Sequence, residues 1–257
     1  MIISSIQLTA GLLILARIAG VFIQAPLFSS RSFPMQAKTA FAIWLAALLW
    51  FVTPISPGLP TDFFSFVIAL TFEVIIGYLI GFVCYIIFIA LQSGGEIIDL
   101  QMGLSVASAL DPVFGAVISV IGRLIFFVTL LIFITLDGHH LLLSAFHQSF
   151  TLIPAGKIPN LMSYDLFNQL MGLGTMLWLT AIKIAAPIIL LIFLADFTFG
   201  IVSRVAPQVN VFMLGFQIKP ILGLFAISLL SPFLLRYVEK LIEVMGSEVL
   251  KLLTIIK

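Results

Sequence analysis

The stretch Gly94-Gly95-Glu96-Ile97-Ile98-Asp99-Leu100-Gln101-Met102-Gly103-Leu104-Ser105, running on to Asp111-Pro112, lies between two of the most apolar segments of the chain. Its glycines and polar side chains argue against an ordinary membrane helix. It is also too apolar and too regular for a disordered loop. In a chain otherwise compatible with lipid, irregular backbone is tolerated only where protein or a water-filled cavity surrounds it. The stretch therefore predicts a pore, a gate or a binding site.

The surroundings justify reading it against a bilayer. Of 257 residues, 62% are hydrophobic and 9% charged, against roughly 25% charged in soluble domains; mean hydropathy is +1.27. The chain reads as an all-α integral membrane protein. A net charge of +1 gives no electrostatic case for nucleic acid. The single cysteine, Cys84, sits in an apolar run and reads as packing.

Working outward, Ile6 to Gln24 is long enough to span, with Arg17 as its one charge. Thr39 to Val52 is shorter and ends in a proline-rich turn. Phe63 to Leu91 exceeds one untilted span, carries only Glu73, and places Gly77 and Gly81 four apart, where another backbone can approach. After the glycine-rich stretch, Val113 to Leu136 resumes as a helix around Arg123. Asp137-Gly138-His139-His140 ends it, and Leu141 to Ile153 is short. Ser163 is placed to cap a helix whose apolar run, Met171 to Leu194, holds Lys183 and Pro187, and Pro187 predicts a kink. Asp196, Arg204 and Pro207-Gln208-Val209-Asn210 follow. From Leu234 to Ile256 apolar residues recur at helical spacing opposite Arg236, Glu239, Lys240, Glu243, Glu248 and Lys251. That is an amphipathic helix, expected on a membrane surface or against a partner.

Arg17, Glu73, Arg123, Lys183, Asp196 and Arg204 lie in or beside apolar helices, where an unpaired charge is costly. They are expected to pair and fix packing, Arg17 with Glu73 being one conceivable pair. His139, His140 and His147 have Asp137 as their only nearby carboxylate and no cysteine, which favours capping over metal binding. No nucleophile motif, P-loop or dinucleotide fingerprint appears, so neither catalysis nor a cofactor is implied. Within the central stretch, Met102, Leu104, Val106 and Leu110 offer an apolar lining, Gly103 and Gly115 permit hinges, and Asp111-Pro112 favours a turn. Such a lining can close a passage by excluding water.

Taken together, several strings resemble the FliR family of type III export-gate proteins. They are Gly95-Glu96 through Asp99, Gln101-Met102-Gly103-Leu104-Ser105 and Asp111-Pro112; then Asp137-Gly138-His139-His140, Ser149-Phe150 and Ile153-Pro154-Ala155-Gly156; then Gly200, Arg204, Ala206-Pro207-Gln208, Asn210-Val211-Phe212 and Leu214-Gly215-Phe216. Arg17, Pro26, Arg31 and Pro34 fit near the start. The strings cover nearly the whole chain in order.

The resemblance implies a subunit that assembles with FliP and FliQ into a helical multi-subunit export gate of kinked helical hairpins, working with FlhB and FlhA. Its setting would be the bacterial inner membrane at the flagellar basal body, in contact with membrane lipid, and its cargo unfolded flagellar export substrates. It also implies one subunit over residues 1–257 in two portions. Residues 1–164 would be FliP-like and residues 165–257 a FliQ-like hairpin with the amphipathic C-terminal helix. A loop at about residues 102–116 would plug the pore, and Gly77, Gly81, Pro207, Gln208, Asn210 and Gly215 would serve helix contacts. Virulence-type injectisome homologues tend to carry Arg-Gly where this chain has Met102-Gly103. A small-solute secondary transporter is the reading from a different class, and it predicts an internal repeat, which the two halves do not display.

Overall fold

The structure, a computed structural model, describes residues 5–26, 34–53, 59–60, 62–105 and 119–257. The described residues form helices without a strand: α1 Ser5–Gln24, α2 Met35–Val52, α3 Phe63–Met102, α4 Val120–Thr135, α5 Gly138–Leu152, α6 Tyr164–Val205 and α7 Val211–Ile256. Four of them, α1, α3, α6 and α7, are long and apolar enough to cross a membrane, and α4 with α5 would make a fifth if taken as one broken span. This is an all-α membrane protein.

Three helices run far beyond one bilayer. At 40, 42 and 46 residues, α3, α6 and α7 each have a contour of about 60–70 Å at 1.5 Å per residue, roughly twice a 30 Å hydrocarbon core. Pro187 lies inside α6, and Pro220 and Pro232 inside α7, yet both helices continue through them. Ser163 accepts a hydrogen bond from the Leu166 N–H at 3.2 Å, which caps the start of α6.

The helix α3 corrects the opening expectation. Residues 94–102 do not interrupt it; they are its last turns, and the helix ends only at Gly103, whose φ is +81°. The glycines serve contact here, not flexibility. A Cβ at Gly95 would stand 2.6 Å from the Gly122 Cα, and one at Gly94 would stand 3.1 Å from the Ala181 carbonyl oxygen. Both distances are tighter than ordinary packing, so only glycine lets those helices approach.

The chain divides into two units. The first takes Met1–Ile87, Asp137–Leu173 and Ile242–Lys257; the second takes Phe88–Leu136 and Gly174–Leu241. In the first unit α1 and α3 meet along a glycine seam. A Cβ on Gly77 would collide with the Arg17 carbonyl oxygen, one on Gly20 with the Val74 carbonyl oxygen, and one on Gly81 would lie 2.8 Å from the Val21 carbonyl oxygen. Beside the seam Leu13, Ile18, Ile76 and Ile80 are wholly buried.

The same unit corrects the expected setting of the tail. The periodic apolar face of α7 is present, with Met245, Val249, Leu252, Leu253 and Ile256 buried. This chain itself covers it: a Cβ at Gly246 would sit 2.9 Å from Leu141 Cδ2, the Asn160 N–H donates to the Ile256 carbonyl at 3.0 Å, and the Gln169 amide donates to Glu248. Spacing identifies a buried face but does not name the neighbour that buries it.

In the second unit Phe88 meets Phe126 and Phe133 edge-on, with ring centroids 5.8 and 5.6 Å apart. These contacts seat α3 against α4.

Candidate functional site

Two polar constructions stand out in this apolar chain. The first, in the second unit, joins the end of α3 to the start of α4. Asp99 is 1% exposed. Its Oδ2 accepts from the Ser119 hydroxyl, and the Ile121 N–H donates to Oδ1 and Oδ2 at 3.3 and 3.1 Å. Ser119 Oγ in turn accepts from the Gly122 N–H at 2.8 Å, which makes Ser119 the N-cap of α4. One carboxylate thus meets the unpaired amides of a helix start, where the macrodipole also favours negative charge. The Gly95–Gly122 approach lies one helical turn away, so polar and steric contacts share a face of α3.

Met102 and Gly103 complete that end. Met102 is 0% exposed and fills a notch at Gly223 of α7, where a Cβ would lie 2.5 Å from the methionine sulfur. Gly103 donates its N–H to the Leu100 carbonyl at 3.2 Å and turns into the left-handed region that favours glycine. Of the expected plug residues, Met102 is therefore a fully buried anchor on α7 with no surface left for lining. Leu104 is half-buried. Val106, Leu110, Asp111, Pro112 and Gly115 lie outside the described residues.

The second construction, in the first unit, is a buried ionic knot. Arg17 is wholly buried and Glu73 1% exposed. Arg17 Nε donates to Glu73 Oε2 at 2.5 Å and Nη2 to Oε1 at 3.1 Å, a bidentate pair. Nη1 donates to Ser149 Oγ at 3.0 Å and Nη2 to the Ile153 carbonyl at 2.9 Å, while the Gly156 N–H donates to Glu73 Oε1 at 2.8 Å. The guanidinium carbon lies 4.0 Å from the Phe150 ring centroid. A buried pair offsets its desolvation only when the remaining donors and acceptors are satisfied, and here each guanidinium nitrogen and each carboxylate oxygen has a partner. The knot ties α1, α3, α5 and the turn at 153–156.

The other charges read as packing groups are placed differently. Arg123, Lys183 and Arg204 are exposed on this chain and make no salt bridge among the described residues. Asp196 is also exposed, and pairs with Lys219 at 2.5 Å. Among the described residues no helix covers these groups. That pair stands at a cleft of about 490 Å³ in the second unit, lined also by Gln101, Phe199, Phe212 and Phe216.

Of the expected contact residues, Gly77 and Gly81 lie in the α1–α3 seam, and Gly215 is buried with Phe199 4.0 Å from a would-be Cβ. Pro207 and Gln208 are exposed in the turn between α6 and α7, and Asn210 accepts from the Met213 N–H at 3.2 Å to cap α7. Asp137 adopts a φ of 55°, and its carboxylate with His139 and His140 brings three ligand atoms within 4.8 Å. Among the described residues this surface trio has no fourth ligand and none of the orienting hydrogen bonds of a built zinc site.

Sequence reasoning missed Gly20, Gly122, Ser119, and Asp99 as a ligand to another helix. Only Gly20 carried a signal, since it lies three residues from Arg17 on α1.

Comparison with known proteins matches the profile of bacterial export proteins, family 1, over residues 8–245. The chain is 33% identical to the flagellar biosynthetic protein FliR of Bacillus subtilis over 211 residues, covering 82% of this chain and 81% of that one. It is 32% identical to FliR of Escherichia coli over 233 residues, covering 88% and 86%. The Yop proteins translocation protein T of Yersinia pestis is 31% identical over 208 residues, 80% of each chain. With a family profile matched across nearly its full length, this chain belongs to the bacterial export proteins, family 1.

Proposed function

We propose that the chain is a core subunit of the flagellar type III protein export gate, forming part of the channel through which unfolded flagellar proteins leave the cell. The carrying observation is its similarity to FliR sequences over more than four-fifths of both chains. Its seat is the bacterial inner membrane at the flagellar basal body, and its partners are FliP, FliQ, FlhB and FlhA.

The surface suits such an assembly. Trp178, Leu190, Phe193, Phe225 and Phe233 are large, apolar and exposed along α6 and α7, which calls for lipid or neighbouring subunits as cover. Residues 1–164 form the FliP-like portion and residues 165–257 the FliQ-like hairpin of that assembly. The connection following Met102 acts as the plug, with Leu104, Val106 and Leu110 closing the lumen and Gly103 and Gly115 as its hinges. Met102 holds its near end to α7.

An injectisome role is the second reading, favoured by the 31% identity to the Yop translocation protein T. Expression in a flagellated host lacking its own FliR separates the two. Restored swimming and recovery of the chain in a complex with FliP and FliQ support the flagellar reading. An assembled complex that never exports flagellin overturns it. Deleting Gly103 to Leu110 tests the plug, which requires raised ion leakage through the assembled complex.

A further inference from the structure

We propose that the cleft beside the Asp196–Lys219 pair holds the headgroup of a phospholipid that carries both a phosphate and a primary ammonium. The site stands on this chain's own residues and does not depend on what the assembly exports. Its volume of about 490 Å³ falls within the roughly 300–1,000 Å³ of small-molecule sites. Its walls come from the last turn of α3, from α6 and from the start of α7. Phe199, Phe212 and Phe216 give it an aromatic side, and the Phe212 and Phe216 rings meet edge-on with centroids 4.8 Å apart. Asp196 and Lys219 stand on the same cleft with Gln101. The cleft is therefore amphipathic, a charged pair beside an apolar wall.

The charges choose the ligand. The pair is neutral as a unit, a carboxylate and an ammonium 2.5 Å apart and both in part exposed. An anion alone would meet Lys219 and be repelled by Asp196; a cation alone would meet the converse. A zwitterion matches both. Its phosphate takes the Lys219 ammonium and its own ammonium takes the Asp196 carboxylate, so one ion pair becomes two and no charge is left unmatched. A primary ammonium donates N–H bonds to the carboxylate, which a choline head cannot do. The first part of an acyl chain then lies along the phenylalanine rings. The surroundings favour a lipid as the source of that zwitterion. Phe193 and Phe197 on α6, and Ile221 and Phe225 on α7, stand within two turns of the pair and are exposed. Such a surface suits hydrocarbon, and what reaches the mouth across it is bilayer lipid.

The experiment takes the full chain as purified from its host membrane, with the subunits it retains. It is labelled with a phosphatidylethanolamine carrying a diazirine in its acyl chain, and the cross-linked peptides are mapped by mass spectrometry. Unlabelled phosphatidylethanolamine, phosphatidylcholine and phosphatidylglycerol serve as competitors. Label is expected on the residues between Asp196 and Lys219, and phosphatidylethanolamine should displace it about tenfold better than either rival, the worth of one charge-assisted hydrogen bond. Lys219→Gln should lower the labelling about tenfold. Asp196→Asn should keep the label but bring phosphatidylglycerol close to parity with phosphatidylethanolamine, a change of selectivity that loss of structure would not produce. Label confined to other surfaces, as when a neighbouring subunit fills the cleft, overturns the proposal. So does equal competition by the three lipids in the parent protein, a result that needs no variant to fold.

Discussion

Arg17 and Glu73, 56 residues apart, form a bidentate ion pair from which water is excluded. Removing one partner strands a buried charge, which costs about 3–5 kcal/mol. Arg17→Ala or Glu73→Ala should lower the thermal stability of the detergent-purified complex by that order, or abolish its recovery. Replacing both with Met and Leu should recover much of the loss. A double variant no better than the worse single would contradict the pairing as the source of the effect.

The seam between α1 and α3 sets a sharp contrast between glycines. Gly77→Ala must push the two backbones apart, because its Cβ would collide with the Arg17 carbonyl; complex yield should fall steeply. Gly172 has nothing within 4 Å of a would-be Cβ, so Gly172→Ala should stabilise α6 by up to about 1 kcal/mol through helix propensity. Parallel melting curves decide the matter, and equal effects at the two positions would refute the seam.

Met102 and Gly223 should show compensation. Gly223→Ala drives a methyl into the thioether, and Met102→Ala leaves a cavity worth about 2–5 kcal/mol. The double variant refills part of the space and should be less unstable than the sum of the singles, read as a coupling energy in a double-mutant cycle.

The exposed Asp196–Lys219 pair should matter little to stability. The Asp196 side chain is 46% and the Lys219 side chain 25% exposed, and pairs of that kind contribute about 0.2–1 kcal/mol outside lipid. Asp196→Asn should shift the melting temperature only slightly, and high salt should erase even that. A large loss would mean that something besides Lys219 depends on the carboxylate.

These contrasts show which features the sequence reveals and which it withholds. The class is written in composition, and the α1–α3 seam in the spacing of Gly77 and Gly81. The apolar face of the tail is legible as a period, but periodicity names a face and never its cover. The stretch 94–102 reads as a break in sequence because glycine has two uses, as a breaker and as a notch. Only the neighbour, Gly122 or Ala181, decides between them. Asp99 looks like a polar intrusion until Ser119 and Ile121, some twenty residues on, are brought to it in space. Exposed Arg123, Lys183 and Arg204 obey the same limit: a charge in an apolar run demands a partner, and nothing local says whether one chain supplies it.

The Arg17 knot also bears on how the protein is made. Its ligands come from residue 73 and from residues 149–156, so the guanidinium of the first helix has no complete set of acceptors until more than half the chain has left the ribosome. A nascent chain stopped between residues 73 and 149 can pair the arginine with Glu73 but still lacks the Ser149 and Ile153 acceptors that complete its shell.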